Sequence, residues 1–395
     1  MANNTKTFMG YVRPDGMVGV RNHVVAVATV CCANGVVERI AREVPGVIPL
    51  LHTDGCGAIK EVARFRRTLL GICKNPNNYA CIIIGLGCEP ENAKQLGKII
   101  AESGKPVFAA IIQEDGGSGK TGLAAIHAAK KFVEDSKKCV REEVPLSKLI
   151  FATECGGSDA LSGITANPVI GYVSDWVVKS GGTSILSETT ELIGAEHLLA
   201  ARAVNKDVAD KIYKIIYDTE EELRAMIGVN VSRIIAPGNM EGGISTIQEK
   251  SLGCVHKGGT SPVQEVIDYA DPIPDDMKGL IIMDGPGYDP DSLTGLFASG
   301  AQVAIFSTGR GNPLGFPSAP VIKICSNHET FEAVGGDGGD MDINAGRMIT
   351  EGLSVEEMGE YCIEYLLEVI NGKLTMAEVH GNGGSLCIYQ TTRPF

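Results

Sequence analysis

Aromatic residues make up only 5 % of this 395-residue chain, and a surface so poor in them offers little on which exposed nucleobases can stack. A basic excess is missing too. Lys and Arg number 35 against 48 Asp and Glu, a formal net charge of −13, which sets the average surface against nucleic acid and anionic membrane as partners. No apolar stretch reaches the ~20 residues of a membrane-spanning helix, and the short polar start, residues 1–8, carries no export signal. A cytoplasmic location is therefore expected, with the 12 cysteines reduced. No two of them form a C-x-x-C pair, which removes the usual frame of a structural zinc site. Internal repeats and low-complexity tracts are also absent.

What is present is glycine, 49 residues of it, and short β-branched apolar runs, each followed by a Gly-rich turn and a helical stretch. That alternation is the pattern of βα units in a parallel sheet. Strands are expected at residues 24–29, 47–51, 80–85, 107–112, 149–153, 184–187, 279–283, 303–307 and 321–324, and helices at 92–102, 121–134 and 196–226. The length exceeds the roughly 250–300 residues at which a single core stops growing. The expected fold is α/β, two doubly wound, mainly parallel-sheet domains covering residues 1–140 and 141–395, divided at the charged segment 134–143.

The chemistry concentrates on three cysteines that each follow a buried-looking strand and lie next to a glycine or one residue from it. They are Cys56 in His52-Thr-Asp-Gly-Cys-Gly57, Cys88 in Gly85-Leu-Gly-Cys-Glu89, and Cys155 in Glu154-Cys-Gly-Gly-Ser-Asp159. Ligand sites of open parallel sheets gather outside the carboxyl ends of strands, so these three are expected to share one metal site, with Glu89 and Asp159 beside them as hard donors. Thiolates suit iron and other borderline metals. The plain alternative is three small residues in glycine turns.

A phosphate loop is excluded at Gly116-Gly-Ser-Gly-Lys-Thr121, because the position five residues before Gly119 is Glu114. Ser187-Glu-Thr-Thr-Glu191, followed by His197, pairs carboxylates with an imidazole suited to acid/base work. Helix capping and a core histidine are their bland readings. Arg310, between Gly309 and Gly311, presents a planar fork suited to a carboxylate. Lys250, Lys323 and Arg347 are further cations available to an acidic substrate, and Asn167 is an expected substrate contact.

At these strings the chain resembles the altronate and galactarate dehydratases. The resemblance is carried by Gly10-Tyr-Val-Arg-Pro-Asp-Gly-Met-Val-Gly-Val-Arg-Asn22, by the Cys56 and Cys88 motifs with Asn75-Pro-Asn77, and by the stretch from Cys155 through Asn167 to Pro168. Thr308-Gly-Arg-Gly311 and Asp342-Ile-Asn-Ala-Gly-Arg347 complete it. It implies dehydration of a sugar acid to a 2-keto-3-deoxy acid with Fe2+ or Mn2+, or with a 4Fe-4S cluster on Cys56, Cys88 and Cys155. His52, His197 and Glu188 are the expected acid/base groups. It further implies a large subunit that forms a homo-oligomer and is completed by a small SAF-domain partner. Sulfolactate sulfo-lyase large subunits are the nearest rival, and a non-catalytic sugar-acid-binding protein is the alternative of another class.

Overall fold

Strands covered by helices on both faces have no side that needs to be polar, so they read as short continuous apolar runs. The computed structural model of the chain describes residues 6–57, 61–227, 235–336 and 338–391; residues 1–5 of the polar start lie outside the described residues. The architecture is α/β, with two parallel sheets flanked by helices. The smaller has four strands in the order Val47–Leu50, His23–Ala28, Asn78–Gly85, Val107–Ile111. The larger has seven, in the order Val263–Ile267, Gly279–Met283, Thr183–Leu186, Ile150–Cys155, Val303–Thr308, Val321–Cys325, Ile343–Asn344. Neighbours in both sheets run parallel. In each sheet the first strand in sequence lies inside, because the chain leaves it to one side and later returns on the other. Crevices at such reversals are where open α/β sheets hold ligands. They fall beside His23–Ala28 and beside Ile150–Cys155.

Every strand expected from the sequence is present, with ends moved by a residue or two. The expected helix 196–226 is instead two, Glu196–Ala200 and Lys206–Ile227. The chain breaks where Val204 donates its amide to Val263 O and the Asn205 side chain accepts from Val208 N, opening the second helix. An antiparallel ribbon of Thr7–Val12 with Val18–Gly19 and Glu142–Pro145 was not anticipated. Its last strand lies partly in the charged segment and is mostly exposed, so no apolar pattern marks it.

The sheets are joined by apolar packing and by buried amides. Helix Val62–Lys74 meets helix Asp289–Ala298 where Gly71 lets the backbones touch; a Cβ there would sit 2.2 Å from Ala298 O. Just beyond, the buried Asn75 side chain donates to Phe297 O and Ala301 O, both at 2.8 Å, and Asn77 donates to Gln302 O at 2.8 Å. Gln302 in turn accepts from Ile150 N at 2.5 Å and donates to Lys148 O and Val18 O. Buried amides left unpaired are costly, and here the second sheet's backbone satisfies the first sheet's loop. Arg21 makes a bidentate pair with Glu378, and Leu386 N donates to Leu51 O, bringing the C-terminal segment back onto the smaller sheet.

Candidate active site

The larger sheet's reversal gathers an unusual set of buried polar groups. Strand Ile150–Cys155 ends in Glu154 and Cys155, both fully buried. Beyond Thr183–Leu186 the chain turns through Glu188, held at φ 68°, a left-handed conformation uncommon for a residue with a side chain. The turn Thr189–Leu192 then delivers Glu191. Helix Ile247–Cys254, capped by Thr246, places Lys250 and Cys254 four residues apart on one face, and the next turn adds Lys257. Helix Asp289–Ala298 contributes Asp289 and Ser292.

Glu191 is the hub. Its Oε2 accepts from the thiols of Cys155 at 2.8 Å and Cys254 at 2.9 Å, which stand 3.6 Å apart, and its Oε1 faces Lys250 Nζ at 2.5 Å. Glu188 accepts from Cys155 N at 3.1 Å and is paired with the fully buried Lys257. Ser292 donates to Glu154 at 2.6 Å, and Asn312 donates to Asp289 at 2.7 Å. Burial and the Glu191 charge push Glu188 up to about 7 against the pull of Lys257. Burial and Glu191 likewise raise Asp289 to about 6. The Cys254 thiol and burial hold Cys155 well above the ordinary thiol range. Burial would raise Glu191, but Lys250 and Lys257 hold it below the usual carboxylate value. Burial keeps Lys323 well below the ordinary ammonium range, although Asp289 and Glu154 are near.

Among the described residues two donor sets are close enough to share an ion: Cys155, Glu191 and Cys254, and Glu154, Glu188 and Asp289, each with donor atoms within 4.8 Å of one another. The residues suit a cation on two counts. Glu154 Oε1 is buried without a donor and its carboxyl neighbours Glu188, so the two need a shared proton or a positive charge between them. Two thiols around one carboxylate oxygen form a mixed set that a borderline metal prefers to a hard one.

Of the residues expected from the sequence, Cys155, Glu188, Glu191 and Lys250 meet here. Cys56 and Cys88 do not: both are exposed at the carboxyl edge of the other sheet, and among the described residues no donor set joins them to Cys155. Equivalent strand ends in separate sheets need not converge. Glu89 closes its own loop, accepting from Thr29 Oγ1, Leu86 N, Gly87 N and Cys88 N. Asp159 accepts from Ser162 N and Oγ, Ser326 Oγ and Asn327 Nδ2, and so braces the Arg310 loop rather than facing the thiols. His52 is buried with one ring nitrogen on Ala28 O and the other on Asp54 N, which leaves it no free nitrogen to act as a base. His197 is exposed on its short helix. Asn167 lies buried between Ser307 and Gly253 O. Arg347 pairs with Glu351 on the surface. Arg310 pairs with Glu241 at the rim of a separate cleft of about 540 Å³. Gly309 shows how tight the brace is, since a Cβ there would fall 2.2 Å from Asp159 Cγ. Gly309→Ala should lose about 1–3 kcal/mol by urea titration; an unchanged midpoint would show that the loop yields freely.

Cys254, Lys257, Glu154 and Asp289 were not foreseen. Glu154 had a readable signal, an acid inside an otherwise apolar strand, whereas Cys254 on its helix had none. The network opens through Glu191 and Lys250 onto a cleft of about 600 Å³, also lined by Arg64, Asn239, Asp284 and Tyr288, a size suited to a small polar ligand.

Known proteins bear on this arrangement. Residues 146–393 match the family model "D-galactarate/Altronate dehydratase, C-terminal", and residues 10–137 match "D-galactarate dehydratase/Altronate hydrolase, second domain". The altronate dehydratase of Bacillus subtilis (strain 168) is 35% identical over 95% of this chain and 76% of its own length. The galactarate dehydratase (L-threo-forming) of Escherichia coli (strain K12) is 34% identical over 97% of this chain and 76% of its own. The (2R)-sulfolactate sulfo-lyase subunit beta of Chromohalobacter salexigens is 34% identical over 95% of this chain and 96% of its own. With the buried acid, lysine and thiol network lying inside the longer of the two matched regions, the chain belongs to the D-galactarate/altronate dehydratase family.

Proposed function

We propose that the chain dehydrates a hydroxylated sugar acid of the altronate or galactarate type to a 2-keto-3-deoxy acid, in the cleft at the carboxyl edge of the seven-stranded sheet. The observation that carries this reading is Glu191, which lines the cleft while its two oxygens are shared between Lys250 and a pair of thiols. Removing the proton beside a carboxylate places a second negative charge on it, so the wall of the site must be positive where that charge grows. Lys250 supplies this, and Glu191 Oε1, beside it, accepts the proton. Glu188 and Lys257 are positioning residues, fixing the backbone at Cys155. A divalent cation, Fe2+ before Mn2+ given the thiols, would be held by Cys155, Cys254 and Glu191 Oε2 and would polarise the substrate oxygens. A small SAF-type subunit that closes the cleft is part of the proposal, supported by a relative matched over nearly its whole length that is named as a subunit.

The test is to offer altronate, galactarate and (2R)-sulfolactate to the purified chain, anaerobically with Fe2+, with and without the small subunit. A metal-dependent 2-keto-3-deoxy acid is the expected product, released faster with the subunit. Sulfite from sulfolactate at a higher rate than any keto acid would install the second reading, a sulfo-lyase, which the 96% coverage of the sulfo-lyase subunit favours. Binding of the sugar acids without turnover would mark a binding protein instead.

A further inference from the structure

Cysteine is among the most buried residue types, and half of the twelve here follow that rule. The exposed ones do not scatter. Among the described residues Cys32, Cys56 and Cys88 are the exposed cysteines, and all three, with the half-buried Cys31, lie in the loops that leave three adjacent strands of the four-stranded sheet. Cys31 and Cys32 follow His23–Ala28, Cys56 follows Val47–Leu50, and Cys88 follows Asn78–Gly85. The first and last of these strands flank that sheet's reversal, where a ligand crevice is expected.

The loops are tied together. Cys31 N donates to Asp54 O at 2.8 Å, and Gly55, at φ 153°, packs so closely that a Cβ would lie 2.4 Å from Val30. On the other side Thr29 Oγ1 donates to Glu89 at 2.6 Å, and the same carboxylate gathers the amides of Gly87 and Cys88. The loop of Cys31 is thus bonded directly to the loop of Cys56, and through Thr29 and Glu89 to the loop of Cys88. Among the described residues these sulfurs are not part of a donor set compact enough for one ion, the two such sets lying at the edge of the other sheet. A centre containing several irons is wider, and its cysteines stand further apart.

We propose that Cys31, Cys56 and Cys88 hold an iron–sulfur cluster at the carboxyl edge of the smaller sheet, distinct from the Cys155 site. The three thiols release their protons to solvent and bind iron as thiolates, and three protein sulfurs leave one iron of a four-iron centre open to a small ligand. The proposal does not rest on the dehydratase reading, and its test does not use turnover. The purified full chain is reconstituted anaerobically with equal amounts of ferrous and ferric iron and with sulfide, desalted, and assayed for iron, acid-labile sulfide and visible absorption. Wild type should retain iron and sulfide together with a broad visible band. Cys31→Ser, Cys56→Ser and Cys88→Ser should each lose most of all three while keeping their far-ultraviolet circular dichroism; Cys32→Ser should keep all three, and Cys155→Ser should keep the sulfide and the visible band, losing no more iron than the single ion of its own site. No sulfide on wild type, or retention by any one of the first three variants, overturns the proposal. Loss in Cys32→Ser with retention in Cys31→Ser overturns the choice of Cys31, and loss confined to Cys155→Ser moves the centre to the other sheet.

Discussion

Glu191→Gln is expected to lower kcat by roughly 10²–10⁴-fold, the usual contribution of a positioned acid or base. The amide keeps the size of the side chain but cannot take a proton, and it removes the charge that Lys250 faces at 2.5 Å. KM should change less than kcat, because Lys250 stays on the cleft wall. Bound divalent metal, measured by atomic emission after dialysis, should fall with the rate, since Glu191 Oε2 sits 2.8 and 2.9 Å from the two thiols. A variant with wild-type kcat would remove Glu191 from the chemistry and leave it a structural acceptor.

The second large effect concerns stability. Lys257 and Glu188 are a fully buried ion pair, and removing one partner of such a pair strands the other charge, at about 3–5 kcal/mol. Lys257→Met should therefore destabilise the metal-free chain by about that much in urea titrations. The double variant Lys257→Met/Glu188→Gln should recover much of the loss, because no lone charge then remains. If the double variant is as unstable as the single one, Lys257 acts through its packing and not through its charge.

The sheets were legible because parallel strands covered on both faces must be apolar throughout, and runs such as Cys81-Ile-Ile-Ile84 meet that condition unmistakably. The mostly exposed Glu142–Pro145 strand meets no such condition and stayed hidden. Cys155 and Glu188 could be singled out because a polar residue just past a buried strand has few reasons to be there. Lys257 and Cys254 could not, because their roles depend on a helix from a distant part of the chain docking across Glu191. His52 shows the opposite error: its motif marks it, yet the two backbone groups that occupy its ring are invisible in a string of letters. Cys56 and Cys88 follow strands of the four-stranded sheet and Cys155 ends a strand of the seven-stranded one, a division not legible beforehand, since strand order tells which edge a residue occupies but not which sheet will face it.

Asn75, Asn77 and Gln302 act on the molecule as rivets. Asn75 and Asn77, in the loop before strand Asn78–Gly85 of the smaller sheet, donate to the backbone of Phe297, Ala301 and Gln302, and Gln302 ties that backbone to Ile150 of the larger sheet, so that sliding the sheets apart would break several buried bonds at once. Hinge closure of one sheet upon the other is thus a poor way for this protein to grip a ligand. The two halves form a fixed jaw, and whatever opens and shuts must be lighter: loops at the carboxyl edges, or a second polypeptide laid across them.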